Sequence, residues 1–208
     1  MEHTVAMQRA IALAEKGLGK TAPNPIVGAV IIDAAGKVVG EGFHDRVSSP
    51  DHAEVVAIKA AGDKAKGATI VVSLEPCNHT GSTGACVQAI IDAGITTVVF
   101  AVADPNEKAA GGADALRAAG VTVIGGVLEA EAAFSNRAWL MKIRKNRPFF
   151  TWKVAATLDG KVAAADGTSK WITNETSRGD VQVLRRQADA ILVGTNTVIV
   201  DNPHSIPR

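Results

Sequence analysis

Ala68-Thr69-Ile70-Val71-Val72-Ser73-Leu74 is followed by Glu75-Pro76-Cys77, then by a helical stretch Gly84–Ala93 and a second apolar run Thr96–Ala103. Each apolar run is short and β-branched, the mark of a buried strand. Two such strands separated by a helix lie side by side and parallel, with the helix crossing one face. That order places the chain in the α/β class.

Working outward, the alternation continues. Residues 2–17 carry Val5, Ala6, Ile11, Leu13 and Ala14 at helical spacing and close on Gly17 and Gly19. Ile26–Asp33 is a β-branched run that Ala34-Ala35-Gly36 turns back into Lys37–Phe43, so this pair reads as a hairpin and the sheet as mixed. Ala53–Lys66 reads as a helix stopping at Gly67, Ala113–Ala119 as one ending at Gly120, and Val121–Ile124 as a further strand. Helices on both faces of such a sheet make a three-layer α/β/α domain. Glu129–Lys145 reads as a single helix with Ala132, Ala133, Ala138 and Leu140 on its apolar side. Its end is basic, with Arg137, Lys142, Arg144, Lys145 and Arg147 inside eleven residues free of acids. A solvated linker helix is one reading of it; a patch that meets a phosphate is the other. Without interleaved aromatics a nucleic-acid partner is not expected.

The pattern restarts after Pro148, which sets the expected boundary: residues 1–146 form the first domain and 147–208 open a second. In the second, Phe149–Ala156 and Ala190–Val193 read as strands, Gly160 and Gly167 bracket a loop, Thr173 and Asn174 open a helix Glu175–Ala188, and Thr197–Val200 is a short apolar piece. Two strands and one helix are fewer than a layered domain needs, so this segment reads as the N-terminal part of a larger one.

Composition narrows the function classes. The chain has 208 residues, 47% apolar and 21% charged, which excludes disorder as the main state. Lys plus Arg number 22 against 21 acids, so no global field draws nucleic acid or a membrane surface. No apolar run approaches the roughly 18 residues of a membrane span. The N-terminal stretch has charges at helical spacing rather than a signal-peptide layout, and a cytoplasmic location is expected. Cys77 and Cys86 are the only cysteines; in a reducing compartment they read as thiols or metal ligands.

The chemistry gathers on His52-Ala53-Glu54, Pro76-Cys77 and Cys86. His52 and Glu54 stand at a predicted helix start, Cys77 just past a strand, and Cys86 near the next helix start. In an α/β sheet those ends meet at the carboxyl edge, where sites form. A helix start also lowers a thiol pKa, as ligation requires. One nitrogen and two sulfurs with an open fourth position is the pattern of catalytic zinc. His3, His44, His79 and His204 are the other histidines that could close the shell, His79 being nearest in sequence. Water activated on such a metal, with Glu54 moving its proton, is the chemistry of hydrolytic deamination. The order matches the H-x-E…P-C-x-x-C deaminase pattern, except that eight residues separate Cys77 from Cys86. That longer excursion stands beside the metal, can touch substrate, and argues against a nucleoside or tRNA substrate.

Thr21-Ala22-Pro23-Asn24-Pro25-Ile26-Val27-Gly28, Gly42-Phe43-His44, His52-Ala53-Glu54, Leu74-Glu75-Pro76-Cys77-Asn78-His79-Thr80-Gly81, Cys86 and Asp104-Pro105-Asn106 resemble the deaminase half of the bifunctional riboflavin-biosynthesis deaminase/reductase family. Ala156-Thr157-Leu158-Asp159-Gly160-Lys161, Ser169-Lys170-Trp171-Ile172-Thr173 and Thr197–Pro203 resemble the opening of its reductase half. The resemblance implies a cytidine-deaminase-like first domain and the start of a dihydrofolate-reductase-like second one. It implies zinc on His52, Cys77 and Cys86, with Glu54 as the proton shuttle. Asn24, His44, His79, Asp104 and Asn106 match the pocket for a diamino-ribosylamino-pyrimidinone phosphate, from which ring ammonia is released. For the reductase, Ala155, Trp171, Thr197 and Asp201 match NADPH contacts, and Ser169, Arg185, Ser205 and Arg208 match substrate contacts; this second activity is expected to be incomplete in the chain. A homo-oligomer, dimer or tetramer, is expected. The sequence departs from the family at Ser82, usually Arg or Lys, and at Gly84-Ala85, usually a Pro pair. It also departs after Asn106, where Glu107, Lys108 and Gly111-Gly112-Ala113 replace a Pro and a Gly-basic-Gly run.

Overall fold

The computed structural model describes residues 2–79 and 84–202 and divides into two compact units, 1–149 and 150–208. In the first, a five-stranded mixed sheet has the order β2-β1-β3-β4-β5. The strands are β1 (Gly28–Ile32), β2 (Val38–Phe43), β3 (Thr69–Leu74), β4 (Thr97–Val102) and β5 (Thr122–Ile124). β1 pairs antiparallel with both β2 and β3, whereas β3, β4 and β5 run parallel, as the alternation dictates.

Strand side chains alternate between two layers of helices. Ala29, Ile31, Ile70, Val72 and Val98 pack on one face against α2 (Ala53–Ala61), α3 (Cys86–Asp92) and α4 (Gly112–Ala118), through Ala53, Ala57, Ala61, Val87, Ile90 and Leu116. Val30, Ile32, Val71, Val99 and Ala101 face the other way, onto Ala6, Met7 and Ala10 of α1 (His3–Glu15) and onto Ala132 and Leu140. The expected three-layer architecture is therefore present. A short 3-10 turn, Gly62–Ala65, ends the stretch that reads in sequence as helix to Lys66.

The seating of α2 sets the site, and small residues make it possible. A side chain at Gly40 would come within 2.3 Å of the Ala57 carbonyl oxygen, and one at Gly42 within 2.5 Å of that of Ala53. Two glycines opposite three alanines let the helix lie directly on β2, which fixes the position of its first turn.

The basic stretch differs from its sequence reading. Residues 129–145 form two helices, α5 (Glu129–Ser135) and α6 (Arg137–Lys145), interrupted at Asn136. They are not a solvated linker, because Ala132, Asn136 and Leu140 are buried on the sheet. The break has a cause in the side chain of Asn136. Its Oδ1 accepts from the Ile26 N–H (3.1 Å) and its Nδ2 donates to the Ile26 carbonyl (2.7 Å), a bidentate grip on a segment 110 residues away.

The second unit holds α7 (Glu175–Arg186), capped by Asn174 Oδ1 accepting from the Ser177 N–H at 2.9 Å, and α8 (Thr195–Asp201). The strands expected at Phe149–Ala156 and Ala190–Val193 do not form, and Thr197–Val200 lies inside α8. Strand formation needs a neighbour for its N–H and C=O groups, and no residue described from 150 to 200 is buried. Among the described residues no helix is long and apolar enough to cross a membrane.

Candidate active site and metal centre

The parallel arrangement brings the carboxyl ends of β3 and β4 together, and the helix starts of α2 and α3 point at the same edge. His52 is the N-cap residue of α2 but makes no side-chain capping bond. Its Nδ1 instead lies 3.3 Å from Cys86 Sγ and 3.6 Å from Cys77 Sγ. Cys77 follows Pro76 beyond β3, and Cys86 is the first residue of α3; both are buried. The Val87 N–H donates to the Cys77 carbonyl (3.3 Å), tying the two thiol segments together.

This trio fits a tetrahedral soft cation. With metal–sulfur and metal–nitrogen bonds of about 2.3 and 2.0–2.1 Å, ligand atoms sit roughly 3.6 Å apart, close to both sulfur–nitrogen separations here. All three ligand atoms lie within 4.8 Å of one another, and among the described residues no fourth His, Cys, Asp or Glu joins them. His3, His44 and His79 thus stay outside the group, and His204 lies outside the described residues.

The electrostatics prepare the trio for a cation. A hydrogen bond from the Cys86 thiol pulls Cys77 down to about 4, with His52 assisting against the opposing burial. Cys86 is held above the ordinary thiol range by that same shared proton, by burial and by Glu54. His52 is raised, chiefly through its bond to Cys77, although burial opposes it. The shifts favour a thiolate on Cys77 beside the imidazole.

Glu54 occupies the first turn of α2 and is 3% exposed. Burial raises its carboxyl to about 7, with the charge of His52 acting the other way. Among the described residues nothing hydrogen-bonds its Oε2, although that atom is buried. A carboxylate that holds its proton near neutrality, with one oxygen uncommitted, can both accept and return a proton.

Around this centre stand other residues expected from sequence. The buried His44 donates from Nδ1 to the Asp51 carbonyl (3.0 Å) and accepts at Nε2 from Asn24 Nδ2 (3.3 Å). Desolvation lowers its pKa, the direction that favours the neutral ring this pairing uses. The His44 and His52 rings meet edge to face at 5.1 Å. Asn24, His44 and His52 line one cleft of about 350 Å³ with Arg46, Ser48, Ser49 and Pro50. Asp104 and Asn106 are half-buried beyond β4, and Asp104 Oδ1 accepts from the Asn106 N–H (2.8 Å). Burial raises the Asp104 carboxyl, and the charges of Glu75 and Cys77 add to that rise, so the loop lies within electrostatic reach of the thiol pair. His79 is exposed.

In the second unit Ala155 and Arg185 are half-buried, while Ser169, Trp171 and Thr197 are exposed. The Arg178 guanidinium lies 4.8 Å from the centre of the Trp171 ring. The side chain of Asp201, all of Ser205 and Arg208, and residues 80–83 of the loop between the cysteines lie outside the described residues. Two residues that support the site escaped the sequence reading of roles: Asn136, and Glu75, which stands inside the quoted Leu-Glu-Pro-Cys run. The signal available for Glu75 was an acid directly after a buried strand.

Residues 1–102 match the cytidine and deoxycytidylate deaminase zinc-binding region, and residues 148–208 match the RibD C-terminal domain. The riboflavin biosynthesis protein RibD of Aquifex aeolicus is 51% identical over 97% of this chain and 56% of its own length. That of Mycobacterium tuberculosis is 52% identical over 95% and 58%. The chain belongs to the RibD family. A solved structure from Thermotoga maritima, a diaminohydroxyphosphoribosylaminopyrimidine deaminase/5-amino-6-(5-phosphoribosylamino)uracil reductase, superimposes with a TM-score of 0.89 at 45% identity, covering 97% of this chain and 58% of that one. Acinetobacter baumannii RibD superimposes with a TM-score of 0.88 at 44% identity, covering 98% and 57%. The chain thus spans a little over half the length of these RibD relatives. The cytidine-deaminase-like fold expected for the first domain is the one observed, and its zinc-binding region carries the His52, Cys77 and Cys86 trio.

Proposed function

We propose that the chain catalyses zinc-dependent hydrolytic deamination of 2,5-diamino-6-ribosylamino-4(3H)-pyrimidinone 5′-phosphate in riboflavin biosynthesis. The observation that carries this reading is Glu54, a buried carboxyl with an uncommitted oxygen, set beside a three-donor His52–Cys77–Cys86 cluster. His52, Cys77 and Cys86 would hold the zinc. When bound, zinc supplies a Lewis acid that lets water ionise near neutral pH.

The remaining chemistry belongs to the chain's own side chains. Glu54 takes one proton from the attacking water and gives it to the ring nitrogen beside the reacting carbon, then takes the proton of the hydroxyl so formed and hands it to the exocyclic amine. A carbon–oxygen bond forms, the carbon–nitrogen bond breaks, ammonia leaves, and the ring carbon becomes a carbonyl. A proton affinity matched to neutral pH serves both transfers. Asn24, His44, His79, Asp104 and Asn106 bind the pyrimidine and its substituents. His44, fixed from both ring nitrogens, holds Asn24 in one orientation and steadies the Asp51 carbonyl next to the ligand His52.

Residues 1–146 form the deaminase domain in this reading, and 147–208 the N-terminal part of an NADPH-dependent reductase that acts on the deaminated product. Ala155, Trp171, Thr197 and Asp201 contact the nicotinamide cofactor there; Ser169, Arg185, Ser205 and Arg208 contact substrate. Support comes from the 148–208 match and from the two activities named for the Thermotoga protein. The protein works in the cytoplasm as a homo-oligomer, a dimer or tetramer, on a small phosphorylated pyrimidine and without nucleic acid or membrane partners. The near-balance of charge supports the absence of a nucleic-acid partner.

The test is ammonia release from the phosphorylated diaminopyrimidinone, with and without chelator. Release that stops on chelation and returns with zinc supports the reading. No release by zinc-replete protein overturns it.

A further inference from the structure

We propose that Glu75 is a positioning residue of the deaminase site, clamping the Asp104–Ala109 segment in register with the ligand Cys77; this rests on the reading of Asp104 and Asn106 as substrate contacts. Glu75 directly follows Leu74, the last residue of β3, and is 8% exposed. Among the described residues it forms no ion pair with Lys or Arg. Its two oxygens are instead spent on the backbone. Oε2 accepts from the Asp104 N–H (3.1 Å) and Oε1 from the Ala113 N–H (2.8 Å). The Glu75 N–H donates to the Val102 carbonyl (2.8 Å).

These bonds grip the substrate segment at both ends. Just beyond Glu75, the Asn78 N–H donates to the Ala109 carbonyl (3.0 Å). Gly112 presses so closely on Pro76 that a Cβ there would lie 1.8 Å from the Pro76 carbonyl oxygen. The segment's shape comes from within: the Asn106 N–H donates to Asp104 Oδ1, and the Ala109 and Ala110 N–H groups to the Asn106 carbonyl. Its placement relative to Cys77 comes from Glu75.

Both groups facing Glu75 are N–H donors, so the side chain must accept at both oxygens. Glutamine has the same shape but turns an NH2 toward one donor, breaking that bond and leaving a backbone N–H unmet. Glu75→Gln is therefore expected to keep one zinc per chain and a kcat within a few-fold of wild type. KM for the phosphorylated diaminopyrimidinone should rise roughly tenfold, the loss of about one hydrogen bond. In an Asn106→Ala background the same substitution should change KM far less, because both act through one segment. Amide exchange should also accelerate at Asp104 or Ala113.

An active Glu75→Gln with wild-type KM, or a KM effect that multiplies unchanged in the Asn106→Ala background, overturns the proposal. A variant that merely loses stability with KM intact does the same. Should Glu75→Gln fail to fold, exchange on the wild-type chain decides: protected Asp104 and Ala113 amides support the clamp, and unprotected ones refute it. A wild-type chain that releases no ammonia would sink the deaminase reading instead, and the same exchange measurement would still judge the clamp.

Discussion

Glu54→Gln should inactivate the enzyme and, at the same time, stabilise its metal-free form at alkaline pH. Burial raises the Glu54 carboxyl from 4.5 to about 7. In the unfolded chain that carboxyl ionises near its ordinary pKa, whereas the folded protein resists the charge. The folded state thus keeps full stability below pH 4.5 and loses it as pH climbs through 7. A displacement of that size is worth about 3 kcal/mol once the group is ionised in both states. Glutamine carries no charge to desolvate. Urea unfolding of zinc-free protein should therefore show Glu54→Gln gaining about 3 kcal/mol on wild type between pH 4 and pH 8. Ammonia release by the zinc-loaded variant should fall on the order of 10²–10⁴-fold, the usual contribution of a positioned acid/base. Zinc content should stay at about one per chain. A stability difference that does not grow with pH refutes the buried, proton-holding carboxyl. Loss of zinc would make Glu54 a ligand, and activity within a few-fold of wild type would assign the proton transfer to another group.

Further outcomes can be stated from the same structure. Cys86→Ser should bring the zinc content of purified protein from about one equivalent to near zero, read by metal analysis, since oxygen replaces one of two soft ligands. Asn136→Ala should cost about 2–4 kcal/mol in urea unfolding, because the buried N–H and C=O of Ile26 both lose their partner; a cost under about 0.5 kcal/mol would mean that water replaces both bonds. Gly42→Ala places a methyl 2.5 Å from the Ala53 carbonyl oxygen and should displace α2, destabilising the fold by about 1–3 kcal/mol and weakening zinc binding in a chelator competition. Amide exchange in residues 150–202 should outpace that in β1, β3 and β4, because no residue described from 150 to 200 is buried, whereas β1 is buried throughout.

The parallel pair and the site's donor atoms were legible in the sequence because each is encoded locally. β3 and β4 are β-branched runs of strand length, so their burial follows from composition and their parallel sense from the helix between them. His52 and Glu54 stand at the start of α2, Cys77 just past β3 and Cys86 at the start of α3, and the topology of a parallel sheet carries such ends to one edge whatever the remaining residues are. What the tertiary structure decided are matters of partnership. Residues 129–145 have an unbroken helical pattern, yet they split at Asn136, because its amide is taken by Ile26, a partner no local window contains. Phe149–Ala156 and Ala190–Val193 have strand-like composition but form no strand here, since a strand exists only with a neighbour to bond. Glu75 reads in sequence as an acid in a motif; its task is set by the Asp104 and Ala113 amides, which lie beyond β4 and reach it because β4 pairs beside β3. Periodicity reports which side of an element faces inward, and the identity of the group it meets there belongs to the fold.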